Sequence, residues 1–302
     1  MSRAVAVRLA LLGAIWGSSF LFIEVALDGL TPVQVAAGRL LFGALAIAAA
    51  VAVGGGSYPS TAKAWSQLAV LGVLANVAPF LLYAWAQQRV TSSLAGVLNA
   101  TTPLCTALVS VVALREERLT RTKALGLAVG FGGAALIVRP WDDGAGSLSG
   151  QLACLGAAAC YGFAFVYTKR VISGRMSAVT ASAGQVTTGA VIALVIAGAG
   201  VAGGDSLPHG DARVWGAIAA LGIFGTGIAY LLSFRLIELA GATTASMVTY
   251  LIPLVAVCLG VIVLDEPVTW HLFVGAAIVI AGIAIAQGRR AQVEPPLGIS
   301  AI

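Results

Sequence analysis

The sequence predicts an all-α integral membrane fold: ten transmembrane helices, arranged as two inverted five-helix repeats around a central cavity, with both termini cytoplasmic. Composition is the first observation behind this. The chain is 59% hydrophobic and 10% charged, with mean hydropathy +0.98, whereas soluble domains carry roughly 25% charged residues. Internal duplication is the second. A shift of 150 positions lays Leu71-Gly72 on Leu221-Gly222, Leu82 on Leu232, Ala95 on Ala245, Pro103-Leu104 on Pro253-Leu254 and Leu114 on Leu264. With one position of slippage Gly126 and Gly133 meet Gly275 and Gly282, and at a shift of 145 Trp16-Gly17 and Phe20 meet Tyr161-Gly162 and Phe165. Loop charge is the third. Arg115, Arg118, Arg121 and Lys123 follow Leu114, while the equivalent stretch, Asp265-Glu266-Pro267-Val268-Thr269-Trp270, has no basic residue. Short basic loops stay in the cytoplasm, so the two loops face opposite sides, and inverted repeats of this kind are typical of secondary transporters.

Each span needs about 20 apolar residues. Reading from the N-terminus, the spans fall at 5–25, 32–52, 65–87, 91–113 and 123–138 in the first half. The second half supplies 149–170, 178–199, 214–237, 241–264 and 270–286. Turn-rich or charged breaks separate them: Asp28-Gly29, Gly54 to Pro59, the Arg115 loop, Pro140 to Gly144, Ser173-Gly174-Arg175, Gly203 to Asp211, and Asp265-Glu266-Pro267. The halves are therefore 1–140 and 141–288, followed by a cytoplasmic tail at 289–302. The first span follows Arg3 and Arg8 as a signal peptide would. Its apolar run continues without a small-residue cleavage site, however, and it has a partner near Tyr161, so a retained helix is expected.

Charge counting fixes the expected orientation. With the N-terminus inside, 13 of the 17 Lys and Arg lie in cytoplasmic loops and tails. Arg89, Arg139 and Arg213 lie outside, and Arg39 lies within the second span. The net charge of +5 is accordingly a membrane-topology signal; no basic helix face suggests nucleic-acid binding.

Several short stretches resemble the EamA family of the drug/metabolite transporter superfamily, and more narrowly bacterial amino-acid exporters of the YddG type. They are Ala14-Ile15-Trp16-Gly17-Ser18-Ser19-Phe20, Gly38-Arg39-Leu40, Ala100-Thr101-Thr102-Pro103-Leu104, and the Glu-containing turns ending in Leu119-Thr120 and Val268-Thr269. The resemblance covers about residues 5–286. It implies a ten-helix basket around one cavity that opens alternately to the two sides of the inner (plasma) membrane. It says little about substrate.

The residues themselves point to where such a cavity lies. Pro103 and Pro253 stand near the centres of spans four and nine, and Pro79 lies within span three. Proline frees backbone groups that hydrocarbon cannot satisfy, so these positions are either hinges at a cavity or ordinary kinks; their match between halves favours hinges. Gly17 and Gly162, each after an aromatic residue, are further hinge candidates, although most of the 37 glycines serve tight helix packing.

The expected cavity lining comprises Trp16, Ser19, Phe20, Asn76, Tyr83, Asn99, Thr101, Tyr161, Phe165, Tyr230, Ser233 and Tyr250. Ser18, Thr102, Tyr167, Gln185 and Thr249 lie at similar depth. A polar group in hydrocarbon costs several kcal/mol without a partner, so these residues face inward, as cavity walls or as interhelical hydrogen bonds. Aromatic walls with scattered donors and acceptors suit a small polar organic molecule.

Arg39 sits about two turns into the second span, and its counterpart Gln185 is neutral. Either it neutralises a substrate carboxylate or it pairs structurally with Glu24 or Asp28. No mid-membrane acid speaks for a cationic drug, and no basic pair speaks for a dianionic phosphate. A neutral or zwitterionic metabolite, an amino acid above all, remains as substrate. Cys105, Cys154, Cys160 and Cys258 lie in apolar spans without CxxC spacing and behave as small buried hydrophobes. No cofactor, metal site or enzymatic constellation is expected. A passive channel, a scaffold and a drug exporter of the same superfamily are the competing readings. The glycines of spans five and ten are also compatible with a homodimer.

Overall fold

The structure is a computed structural model. It describes residues 3–54, 56–113, 120–139, 147–172, 174–233, 235–236, 239, 248–267 and 269–287. Most of the Arg115 loop, the Pro140–Gly144 break, the first residues of span nine, Val268 and the tail lie outside the described residues.

Among the described residues, eight helices are long and apolar enough to cross a membrane. They are α1 (Arg3–Leu27), α2 (Pro32–Gly54), α3 (Ala62–Gln87), α4 (Ser92–Val112), α5 (Arg121–Val138), α6 (Leu148–Ile172), α7 (Ala178–Ala202) and α8 (Ala212–Ser233). Two shorter apolar helices follow, α9 (Val248–Leu264) and α10 (Trp270–Gln287). No strand occurs among the described residues. Helix starts are chemically marked. Thr61, Thr91, Thr120, Ser147, Ser177 and Asp211 each accept a hydrogen bond from an amide of the first turn, which satisfies a donor that helix geometry leaves free.

Irregularities concentrate within the spans. α3 carries a π turn at Val73–Val77, and α8 carries one at Ile223–Ile228, each directly after a glycine, Gly72 or Gly222. In α3 the extra residue accommodates Pro79, which cannot donate to the turn before it. In α8 the crowding of Gly222, Gly225 and Gly227 loosens the helix instead. α4 is interrupted at Ala100-Thr101, just before Pro103, where the Thr101 hydroxyl donates to the Leu98 carbonyl (2.7 Å). α9 runs through Pro253 without interruption.

Glycine decides which helices touch. A Cβ on Gly17 of α1 would lie 2.5 Å from the Val255 Cβ of α9, and one on Gly162 of α6 would lie 2.9 Å from the Cys105 carbonyl carbon of α4. A second pairing links α3 to α7 and α8 to α2. A Cβ on Gly72 would lie 2.8 Å from the Gln185 carbonyl oxygen, and one on Gly222 would lie 2.7 Å from that of Arg39. Since Gly72 and Gly222 are equivalent positions, as are Arg39 and Gln185, the same contact is made twice with the halves exchanged. Gly126, Gly130 and Gly133 of α5 interlock with Gly275 and Gly282 of α10, backbone against backbone. That glycine face is filled from within the chain.

Candidate functional site

Where α2, α3, α6 and α8 converge, Arg39 is 7% exposed. Its guanidinium lies 3.8 Å from the centroid of the Phe80 ring. Nε donates to Thr226 Oγ1 (3.2 Å) and Nη2 to the Gly225 carbonyl (3.4 Å), both in the α8 π turn. The Thr226 hydroxyl in turn donates to the Leu221 carbonyl (3.4 Å). Among the described residues Arg39 pairs with neither Glu24 nor Asp28, so the structural ion pair considered from sequence is not formed. A buried, hydrogen-bonded cation without a carboxylate partner is costly unless a function retains it.

Aromatic and amide groups surround this centre. Tyr230 of α8 donates to Asn76 Oδ1 (3.1 Å) in the α3 π turn, and the buried Asn76 Nδ2 has no partner among the described residues. Tyr83 donates to Asn99 Oδ1 (2.9 Å), which Thr102 also approaches at 3.4 Å. Phe20 meets Tyr83 edge-on at 5.4 Å, and Tyr83 stacks near Tyr161 at 6.4 Å. Tyr161 packs against the core on both sides, joining the Tyr83 group to the Arg39 group.

The remaining predicted residues divide. The hydroxyls of Ser18 and Ser19 donate to the Ile15 carbonyl and that of Thr101 to Leu98, so all three are satisfied within their own helices. Trp16 and Tyr250 are partly buried against the main core, and Ser233 is half-buried. Phe165 is 58% exposed, and no described contact brings it to the Tyr83 group. Of the cysteines, Cys258 is exposed rather than buried: its face of α9 points away from the bundle, a direction hydropathy cannot read. Of the four hinge candidates, Gly17 lies against Val255 and Gly162 against Cys105, the residues two positions after Pro253 and Pro103.

A cavity of about 820 Å³ lies elsewhere. It opens at the helix ends that carry Glu24, Gln87, Arg89, Thr91 and Glu266. A smaller one of about 250 Å³ lies between α1 and α8, bordered by Ser19, Phe22, Phe224 and Gly225. Sequence reasoning missed Gln87, which is buried and donates to the Phe20 carbonyl (2.8 Å) and to Glu24 (3.2 Å). Its spacing from Phe80 and Tyr83 puts all three on one helix face. Thr226 was missed too, although it is the 150-shift equivalent of Asn76.

These features define a multi-pass membrane protein with a polar, aromatic-walled centre. The chain belongs to the EamA-like transporter family, whose sequence pattern matches residues 5–139 and again residues 148–287. A transporter of Archaeoglobus fulgidus, itself uncharacterized, is 26% identical over 93% of this chain and 98% of its own length. The uncharacterized transporter YdfC of Bacillus subtilis is 26% identical over 91% of this chain and 88% of its own. A crystal structure superposes over 95% of this chain and 97% of its own with a TM-score of 0.66 at 19% identity, a likeness of fold. The chain is thus a transporter of the drug/metabolite superfamily.

Proposed function

We propose that the chain moves small neutral or zwitterionic metabolites, amino acids foremost, out of the cell across the plasma (inner) membrane by alternating access. In this reading the helices α1–α10 are ten spans in two inverted halves, 1–140 and 141–288, with both termini cytoplasmic. The exchanged contacts of Gly72 with α7 and Gly222 with α2 support such symmetry. The lopsided distribution of Lys and Arg supports the orientation.

The observation that carries the substrate class is Arg39. Among the described residues it is the one buried cation, over Phe80 in the cluster against which Tyr161 and Tyr230 pack, with Asn76 Nδ2 unpartnered. One fixed positive charge among neutral donors and acceptors suits one carboxylate, and so a zwitterion better than a dianion or a cation. Tyr83, Asn99 and Tyr161 would contact the rest of the substrate.

A substrate-panel counterflow assay on purified protein in proteoliposomes tests this. Saturable movement of neutral or zwitterionic amino acids is expected, weakened by changes at Trp16, Tyr83, Asn99 or Tyr250. Wild-type behaviour in all four variants removes the central assignment, and linear, non-saturable flux removes alternating access.

A further inference from the structure

The turn between α9 and α10 folds back onto the start of α4. Asp265 is left-handed (φ 52°), a conformation non-glycine residues seldom adopt. It lets the Glu266 amide donate to the Gly260 carbonyl (3.1 Å) and sends the Glu266 side chain across to the other half. There Oε1 accepts from the Ser92 amide (2.7 Å) and Oε2 from the Ser93 amide (2.9 Å). Ser92 and Ser93 are 0% and 2% exposed, and the Leu94 amide donates to the Thr91 hydroxyl. Free amides at a helix start are ordinarily capped from within a few residues. Here two of them are satisfied by a carboxylate more than 170 positions away in sequence.

The contact continues below. A Cβ on Gly260 would fall on the Ser93 hydroxyl and the Glu266 carboxylate, and one on Gly96 would fall on Ala256. The first stretch of α4, Ser92–Asn99, therefore packs along α9, whereas the second, Thr102–Ala113, packs against α6. Among the described residues α4 and α9 meet at the Glu266 end and part toward the other. The 820 Å³ cavity lies at that same end, and none of Arg39, Tyr83, Asn99 or Tyr161 lines it.

We propose that Glu266 is the latch of the external gate. This rests on the transport reading above, which places the Glu266 end outside. With the carboxylate seated, the start of α4 is capped and the mouth between α4 and α9 is shut. The centre opens to the outside only when both amides are released together. The 820 Å³ cavity is then a vestibule outside the closed gate.

Spin labels on Gln88→Cys and Thr269→Cys, both exposed positions bordering the vestibule, measure the gate in proteoliposomes. The background replaces Cys105, Cys154, Cys160 and Cys258 with alanine. A dominant short distance with a minor long-distance population is expected with Glu266 intact. Glu266→Gln, which retains one acceptor oxygen, should raise the long-distance population about tenfold, the worth of one charge-assisted hydrogen bond. Gly260→Ala should do the same by crowding the carboxylate while leaving its charge in place. Distance distributions in both variants that superpose on the parent overturn the latch. Counterflow on the same vesicles keeps the two readings apart: a parent protein that moves no amino acid sinks the transport reading, while the distances alone decide the latch.

Discussion

Gly17 of α1 abuts Val255 of α9, two residues beyond Pro253, with no space for a side chain between them. Gly162 of α6 repeats the arrangement against Cys105, two residues beyond Pro103. The opening helix of each half thus grips the proline-bearing helix of the other. A glycine can serve as this grip because the absent Cβ lets backbones approach.

Leucine at Gly17 or Gly162 forces these helices apart. Overpacking of this kind costs about 1–3 kcal/mol, so each variant should melt earlier in detergent and transport more slowly. Gly17→Leu that keeps parental melting and counterflow would show that the close approach is dispensable.

Arg39 should not tolerate lysine. Its planar guanidinium stacks on Phe80 and reaches both Thr226 and Gly225, a combination a point-like ammonium cannot reproduce. Arg39→Gln and Arg39→Lys are expected to lose at least about tenfold in transport, since a hydrogen bond to a charged group is worth about 1.5–3 kcal/mol. Size-exclusion profiles should remain monodisperse. Parental transport by Arg39→Lys would reduce the role of Arg39 to charge alone.

Tyr83 and Asn99 should be coupled. Tyr83→Phe removes the donor to Asn99 Oδ1, and Asn99→Ala removes the acceptor. The double variant is expected to fall short of the summed single effects by about 0.5–1.5 kcal/mol in substrate affinity. Strict additivity would mean that the bond has no part in binding.

Sidedness is testable without substrate. Single cysteines introduced at residues 118 and 268 should react with an impermeant thiol reagent from opposite sides of the membrane. Reaction from one side only would end the inverted arrangement.

Hydropathy and turn residues located the helices well because both are local properties. Span two was expected at 32–52 and runs Pro32–Gly54; span five was expected at 123–138 and runs Arg121–Val138. The tyrosine and asparagine groups were legible because polar atoms in apolar runs must find partners. The partners themselves were not. Arg39 reaches Thr226 across 187 positions, and Glu266 reaches Ser92 across 174, distances at which sequence carries no spacing signal. The π turn at Ile223–Ile228 was equally hidden, since no proline announces it. Ser19 and Thr101 each bond to their own helix, and of the two only Ser19 also borders the smaller cavity, a division that polarity alone does not make.

The seam between α5 and α10 has a mechanical consequence. Gly126 faces the backbone of Ala286 and Gly282, and Gly133 faces that of Gly275 and Val279. At these glycines backbone meets backbone, with only Ile137 against Gly275 and Ile278 against Gly133 reaching into the seam, so little there can switch to a second packing. The pair is a keel, and whatever rocking this molecule performs must be borne by the side-chain-lined interfaces around it.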